Sequence, residues 1–289
     1  MTGGAPAVRW ADRLGLGEGI RAVDGRVVLV DILAGRLLSG PADATAPLTE
    51  LARLDIPLGA VAPVHGRPGH WIAAAGTGIC LIAPDGRTEW LARPEDGAAA
   101  AMRMNDATAD PGGRFWAGSM AYDAVEGAGS LYRTGHDGTV TRVLDGLTVP
   151  NGPAFTADGT VMYLADSAKG VIRRYPVDPD SGLPGAPDTF ASFGAGSPDG
   201  MTVDDEGALW TAVWGTGTVH RYRSDGTPDG QIRLPASQPA GLCLDGDTLY
   251  ITSARHGLAA PGPLDGAVFA VRVEVPGPPA AAYRQGSAA

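Results

Sequence analysis

Six copies of one unit run along this chain, and no feature limits its possible folds more. The clearest copy begins Ser197-Pro198-Asp199-Gly200-Met201-Thr202-Val203, turns at Asp204-Asp205-Glu206-Gly207, and returns through Leu209-Trp210-Thr211-Ala212-Val213. Apolar and polar residues alternate with a period of two in both arms, the pattern of half-buried strands rather than helices. Aligned on the anchor of the second arm, the copies fall at Leu29, Trp71, Trp116, Tyr163, Trp210 and Tyr250, with steps of 42, 45, 47, 47 and 40 residues. A strand-turn-strand unit at this period predicts a propeller with one four-stranded blade per repeat. The expected fold is therefore an all-β, six-bladed β-propeller, one domain over residues 1–289. No WD or kelch signature is present, so the spacing carries the assignment. Trp210 should be buried between blades, and Ala7 to Trp10 should join the last blade and close the ring.

Composition excludes several functions. A net charge of −10 repels nucleic acid and anionic membranes. No apolar run is long enough to span a membrane, and the first residues lack the basic and apolar regions of a secretory signal. These features lead us to expect a cytoplasmic protein, a monomer or weak homodimer, whose partner is a small molecule. Cys80 and Cys243 lie in apolar strand-like runs and read as buried free thiols. There is no Gly-x-Ser-x-Gly elbow, no His-Glu-x-x-His pair and no zinc spacing of Cys and His. The five histidines occupy unrelated repeat positions, His65 and His70 reading as solvated loop residues, which leaves acid–base work to a carboxylate.

Ten to twelve residues before each anchor stand Glu18, Ala60, Asn105, Asn151, Asp199 and Ala240. The innermost strands of a propeller surround a central channel, so one repeat position is presented to the axis by every blade. Taken singly, Glu18-Gly19, Asn151-Gly152 and Asp199-Gly200 read as turn pairs. Four oxygen-bearing side chains at one repeat position read instead as a metal site in the central channel. Such a set suits one hard divalent cation, Ca²⁺ first, with Mg²⁺, Mn²⁺ or Zn²⁺ able to take its place. Arg103 lies two residues before Asn105, on the same side of an extended chain. Its donor fork could hold substrate oxygens, and a surface ion pair fits the spacing equally. Residues Pro94 to Met102 read as a short helical turn or a lid-like loop, and the end of the Pro- and Gly-rich tail after Val275 as mobile.

These segments resemble the SMP-30/gluconolactonase/luciferin-regenerating family along nearly the whole chain. The likeness is carried by Leu16-Gly17-Glu18-Gly19, Arg103-Met104-Asn105-Asp106 with Asp110-Pro111, Ala117-Gly118-Ser119-Met120, Pro150-Asn151-Gly152, Pro198-Asp199-Gly200-Met201 and Thr252-Ser253-Ala254-Arg255. The resemblance implies a divalent metal bound by Glu18, Asn151 and Asp199, substrate contacts from Arg103 and Asn105, and Asp199 as general base. It implies hydrolysis of a lactone, often a sugar lactone such as gluconolactone. Ile20 stands where many members carry Pro. Asp123 stands where some sugar lactonases have a substrate-binding Glu, one methylene longer. Two other activities suit the same propeller and cation: phosphotriester hydrolysis, and metal binding in a regulatory protein without catalysis.

Overall fold

Runs such as Val27-Val28-Leu29-Val30 and Leu209-Trp210-Thr211-Ala212-Val213 are short, rich in β-branched or aromatic residues and bounded by Gly turns. They favour a pleated, half-buried surface over a helix, and both are strands. The computed structural model describes residues 4–43, 46–178 and 180–286. Its strands form six antiparallel sheets whose innermost members are Gly17–Val23, Leu58–Pro63, Met102–Ala109, Pro150–Phe155, Ser197–Val203 and Pro239–Ser253. The first five sheets have four strands each. In the sixth, Pro239–Ser253 folds back at Asp245-Gly246, where Gly246 takes φ 54°, and the Gly241 N–H reaches Thr252 Oγ1 at 2.7 Å. Val268–Gly277 and Ala7–Trp10 complete that blade, with Ala7 paired to Ala270. Each innermost strand packs on the next and the last packs on the first. The chain is a six-bladed β-propeller, closed as expected by its N-terminal strand. The 3₁₀ turn Ser167–Lys169 is the sole helical element among the described residues.

The cores lie between blades. Trp210 is 2% exposed and packs with Leu242, Leu249 and Phe269 of blade six, as expected. Its indole N–H donates to Asp204 Oδ2 at 2.9 Å, while Asp204 Oδ1 accepts the Ala208 N–H. Blade three repeats the device: Trp116 donates to Asp110 Oδ2 at 2.9 Å and Arg114 N to Asp110 Oδ1. One Asp thus closes the turn and holds the anchor ring. In blade one the register differs by a residue from expectation, because Arg21 pairs with Val28 as Thr202 pairs with Trp210. The run of four apolar residues there contains no polar position to mark the face.

One loop expectation is corrected. Residues 94–101 form turns without helix and none lines the central cavity. Glu95 instead turns inward and accepts hydrogen bonds from Ser119 Oγ and Tyr132 Oη. The tail is anchored well past Val275. It crosses the far end of the channel, where Pro278 to Ala281 line a cavity with residues of the innermost strands. Tyr283 is fully buried among blades two and three, its hydroxyl donating to the Gly135 carbonyl at 2.9 Å. Backbone N–H groups of Tyr283, Arg284 and Gly286 then reach Pro63, Gly113 and His136. The last three residues, 287–289, lie outside the described residues. Cys80 and Cys243 are buried and unpaired. Among the described residues, no helix is long and apolar enough to cross a membrane.

Candidate active site

The innermost strands do not run straight past the axis. Their pairing shifts between Glu18 and Arg21, Met104 and Ala107, Asn151 and Ala154, and Pro198 and Met201. A bulge at each of these points re-aims a side chain that regular pleating would fix. Gly19 (φ 54°) and Gly152 (φ 84°) supply left-handed backbone there, which glycine adopts without strain. The Glu-Gly and Asn-Gly pairs therefore mark bulges within strands, not turns between them. Two buried aspartates brace the approaching backbone. Asp31 accepts the N–H groups of Gly15 and Leu16 at 3.0 and 2.9 Å, and Asp166 those of Thr148 and Val149, both at 3.1 Å.

The result is a cavity of about 370 Å³ lined by Glu18, Arg103, Asn105, Asn151 and Asp199, with Ser167 and His256 beside them. The first five are each 5–8% exposed. Leu16, Ile32, Met120, Val149 and Trp214 supply apolar wall. Arg103 fixes the polarity of a hydrogen-bond chain, because a guanidinium only donates. Its Nη1 donates to Asn105 Oδ1 at 2.7 Å, so the Asn105 amide nitrogen donates onward to the Pro150 carbonyl and to Asn151 Oδ1, both at 2.9 Å. Asn151 Nδ2 in turn donates to Ser167 Oγ at 2.8 Å, and Ser167 Oγ donates to the Pro198 carbonyl. Arg103 makes no ion pair among the described residues, and its Nε and Nη2 make no hydrogen bond with them. The surface ion-pair reading of Arg103 is thereby set aside.

The electrostatics are those of crowded carboxyls. Burial, then the charge of Asp106, pushes the Asp199 carboxyl up to about 7. Burial, then Asp199 and Asp106, holds Glu18 well above the usual carboxylate range. Asp106 is itself raised by burial, opposed by Arg21 at 3.8 Å and by the N–H groups of Ala107 and Gly152. Glu18 Oε2 is buried without a hydrogen-bond partner among the described residues. A buried carboxylate oxygen left unpaired is costly, and a cation relieves both that cost and the repulsion. Glu18, Asn151 and Asp199 offer only oxygen donors, and Asn151 Oδ1 keeps one lone pair after accepting from Asn105. The residues present therefore fit a hard divalent cation. They form no cluster of three His, Cys, Asp or Glu, and none occurs among the described residues.

A model of the SMP-30/gluconolactonase/LRE-like region matches residues 16–255. The chain belongs to this family. Among members, a 6-deoxy-6-sulfogluconolactonase of Pseudomonas putida is 36% identical over 259 residues, covering 86% of this chain and 87% of that protein. A pentonolactonase, XacC, of Haloferax volcanii is 33% identical over 285 residues, covering 92% and 93% of the two chains. Among solved structures, a calcium-binding regucalcin of Agrobacterium tumefaciens superposes with a TM-score of 0.89 at 29% identity, over 97% of both chains.

Of the six residues singled out in the sequence for this family's site, five meet in the cavity. Asp123 does not line it: it is exposed, between Tyr122 and Ala124, which do. Asp106, Ser167, Trp214 and His256 escaped the sequence reading. Asp106 had a signal, its place in the quoted Arg103-Met104-Asn105-Asp106 segment. His256 had none, because it follows the last strand of the repeat and belongs to no shared position.

Proposed function

We propose that the chain is a divalent-cation-dependent lactonase that opens a sugar lactone. The reading is carried by one observation: Glu18, Asn105, Asn151 and Asp199, from four blades, converge in one cavity with Arg103, which makes no ion pair among the described residues. Its named relatives among sugar lactonases support the substrate class. Glu18, Asn151 and Asp199 would hold the cation, which supplies Lewis-acid polarisation of the ring carbonyl and charge opposite the developing oxyanion. Arg103 orients the substrate through its free Nε and Nη2 donors, and Asn105, fixed between Arg103 and Asn151, offers its amide beside it. Asp199 takes a proton from the attacking water as the new C–O bond forms. The proton then passes to the ring oxygen as the ester C–O bond breaks, leaving a hydroxy acid. A carboxylate has two oxygens, so Asp199 can serve the ligand set with one and accept the proton with the other. The apolar wall of Leu16, Ile32 and Trp214 keeps bulk water from the reacting carbonyl.

The likeness to a calcium-binding regucalcin favours a second reading, a cation-binding propeller without catalysis. A panel of sugar lactones, plain lactones and phosphotriesters, assayed with Ca²⁺, Mg²⁺, Mn²⁺ and Zn²⁺, separates the two. Lactone hydrolysis that is abolished by chelation and restored by added cation is expected. Turnover of phosphotriesters alone, or tight cation binding with no turnover, would overturn the proposal.

A further inference from the structure

Ser167 is the one polar residue at a repeat position that is otherwise apolar. Its N–H pairs with the carbonyl of Val149, two residues before Asn151. The same register is held by Ile32 opposite Leu16, Met120 opposite Arg103, Trp214 opposite Ser197 and Ala254 opposite Gln238. A hydroxyl there gains nothing for the packing between blades, yet Ser167 is buried and uses its oxygen as both acceptor and donor. It accepts from Asn151 Nδ2 on its own blade and donates to the carbonyl of Pro198 on the next, the residue directly before Asp199. The hydroxyl thus joins a side chain of blade four to the backbone that presents Asp199 in blade five.

We infer that Ser167 is a positioning residue: it holds the Asn151 amide with its oxygen toward the cation, and ties that amide to the Asp199 strand. The inference rests on the proposed cation site at Glu18, Asn151 and Asp199. An amide has two unlike ends, and turned over it would present N–H groups to a cation. Two neighbours forbid the turn. Asn105, with its oxygen committed to Arg103, can only donate to Asn151, so it demands the Asn151 oxygen. Ser167, with its proton committed to Pro198, can only accept, so it demands the Asn151 nitrogen. Both residues line the cavity, Asn105 on the Arg103 side and Ser167 on the side of the Asp199 strand.

The test is cation affinity, measured by calorimetric titration of the cation-free protein with Ca²⁺ and Mn²⁺. Ser167→Ala is expected to weaken the Kd about 10–100-fold, the usual effect of losing a partner that orients a ligand. Ser167→Thr, which keeps the hydroxyl, is expected to recover most of the loss. In an Asn151→Asp background, Ser167→Ala is expected to cost less than about 3-fold, because a carboxylate presents oxygen whichever way it turns. A Kd unchanged in Ser167→Ala, with only the melting temperature lowered, would mean that the hydroxyl merely bridges two blades and would overturn the inference. So would equal losses with Asn151 and with Asn151→Asp. Should Ser167→Ala fail to fold, Ser167→Thr and Ser167→Cys, compared in the two backgrounds, decide the same question. Parent and inference fail separately. If the unaltered protein binds no cation that Glu18→Gln weakens, the cation site falls and this role with it; if it binds one and Ser167→Ala binds equally, only this role falls.

Discussion

At Asp199 the buried carboxyl holds its proton up to about pH 7, and Glu18 beside it is raised by the same crowding. A carboxyl whose pKa is raised on folding binds its proton more tightly in the native than in the unfolded chain, where the value is about 4. Each step of rising pH between those values therefore lowers native stability. Cation-free protein is expected to melt at progressively lower temperature as pH rises from 5 to 8, and added Ca²⁺ to reverse the loss. Cation uptake near pH 6 should release protons, measurable by calorimetry in buffers of different ionisation enthalpy. Affinity that stays flat from pH 5 to 8 would contradict this account. The two carboxylates should also separate kinetically. Glu18→Gln is expected to weaken cation affinity, so that excess cation restores part of the rate. Asp199→Asn is expected to lose ~10²–10⁴-fold in kcat even at saturating cation, since an amide cannot take the proton. Equal rescue of both by cation would remove Asp199 from the role of base. Glu18, Asn105, Asn151 and Asp199 were legible in the sequence because the fold repeats one position on its axis and their chemistry repeats with it. Ser167 was hidden for the opposite reason: it departs from a repeat that is visible only once strand register is known.

Among elements, the inner strand pair of blades three and five combines a bulge on the first strand with an anchor on the second that an aspartate braces. The bulges were not legible, because Asn-Gly serves a turn and a bulge with the same backbone freedom, and only the partner strand distinguishes them. The Asp204–Trp210 pair shows how much a blade depends on its anchor. Trp210→Ala is expected to cost about 3–5 kcal/mol, from the cavity left between blades five and six. That is a large share of a typical total of about 5–15 kcal/mol. Asp204 would keep Arg221 at 2.7 Å as a partner, so the loss should report packing rather than an orphaned charge. Chemical denaturation checks the magnitude. Cation affinity measured on the remaining folded protein should be unchanged, since Trp210 is absent from the cavity lining.

Across the whole molecule, the ring is fastened twice, by Ala7–Trp10 in the last blade and by the tail through Tyr283. Tyr283→Ala is expected to lower stability by about 3–5 kcal/mol although it lies outside every blade's four strands. A melting temperature equal to that of the unaltered chain would show that the tail contributes no anchorage. The N-terminal fastening follows from the need to cover sheet edges, and so it was legible from four residues. The tail fastening was not: a composition of Pro, Gly and Ala resembles a loose segment, and only Tyr283, single and aromatic, hints at a buried anchor. The double fastening also sets an order of events during synthesis. Blades one to five can form as they leave the ribosome, because each is built from neighbours in sequence. The sixth cannot, because Ala7 must wait for Ala270. Until then a nearly complete propeller carries two bare strand edges, open to pairing with another nascent chain. The interval of greatest exposure therefore lasts until Val268–Gly277 is made, and codons that slow synthesis of the stretch leading to that strand would lengthen it.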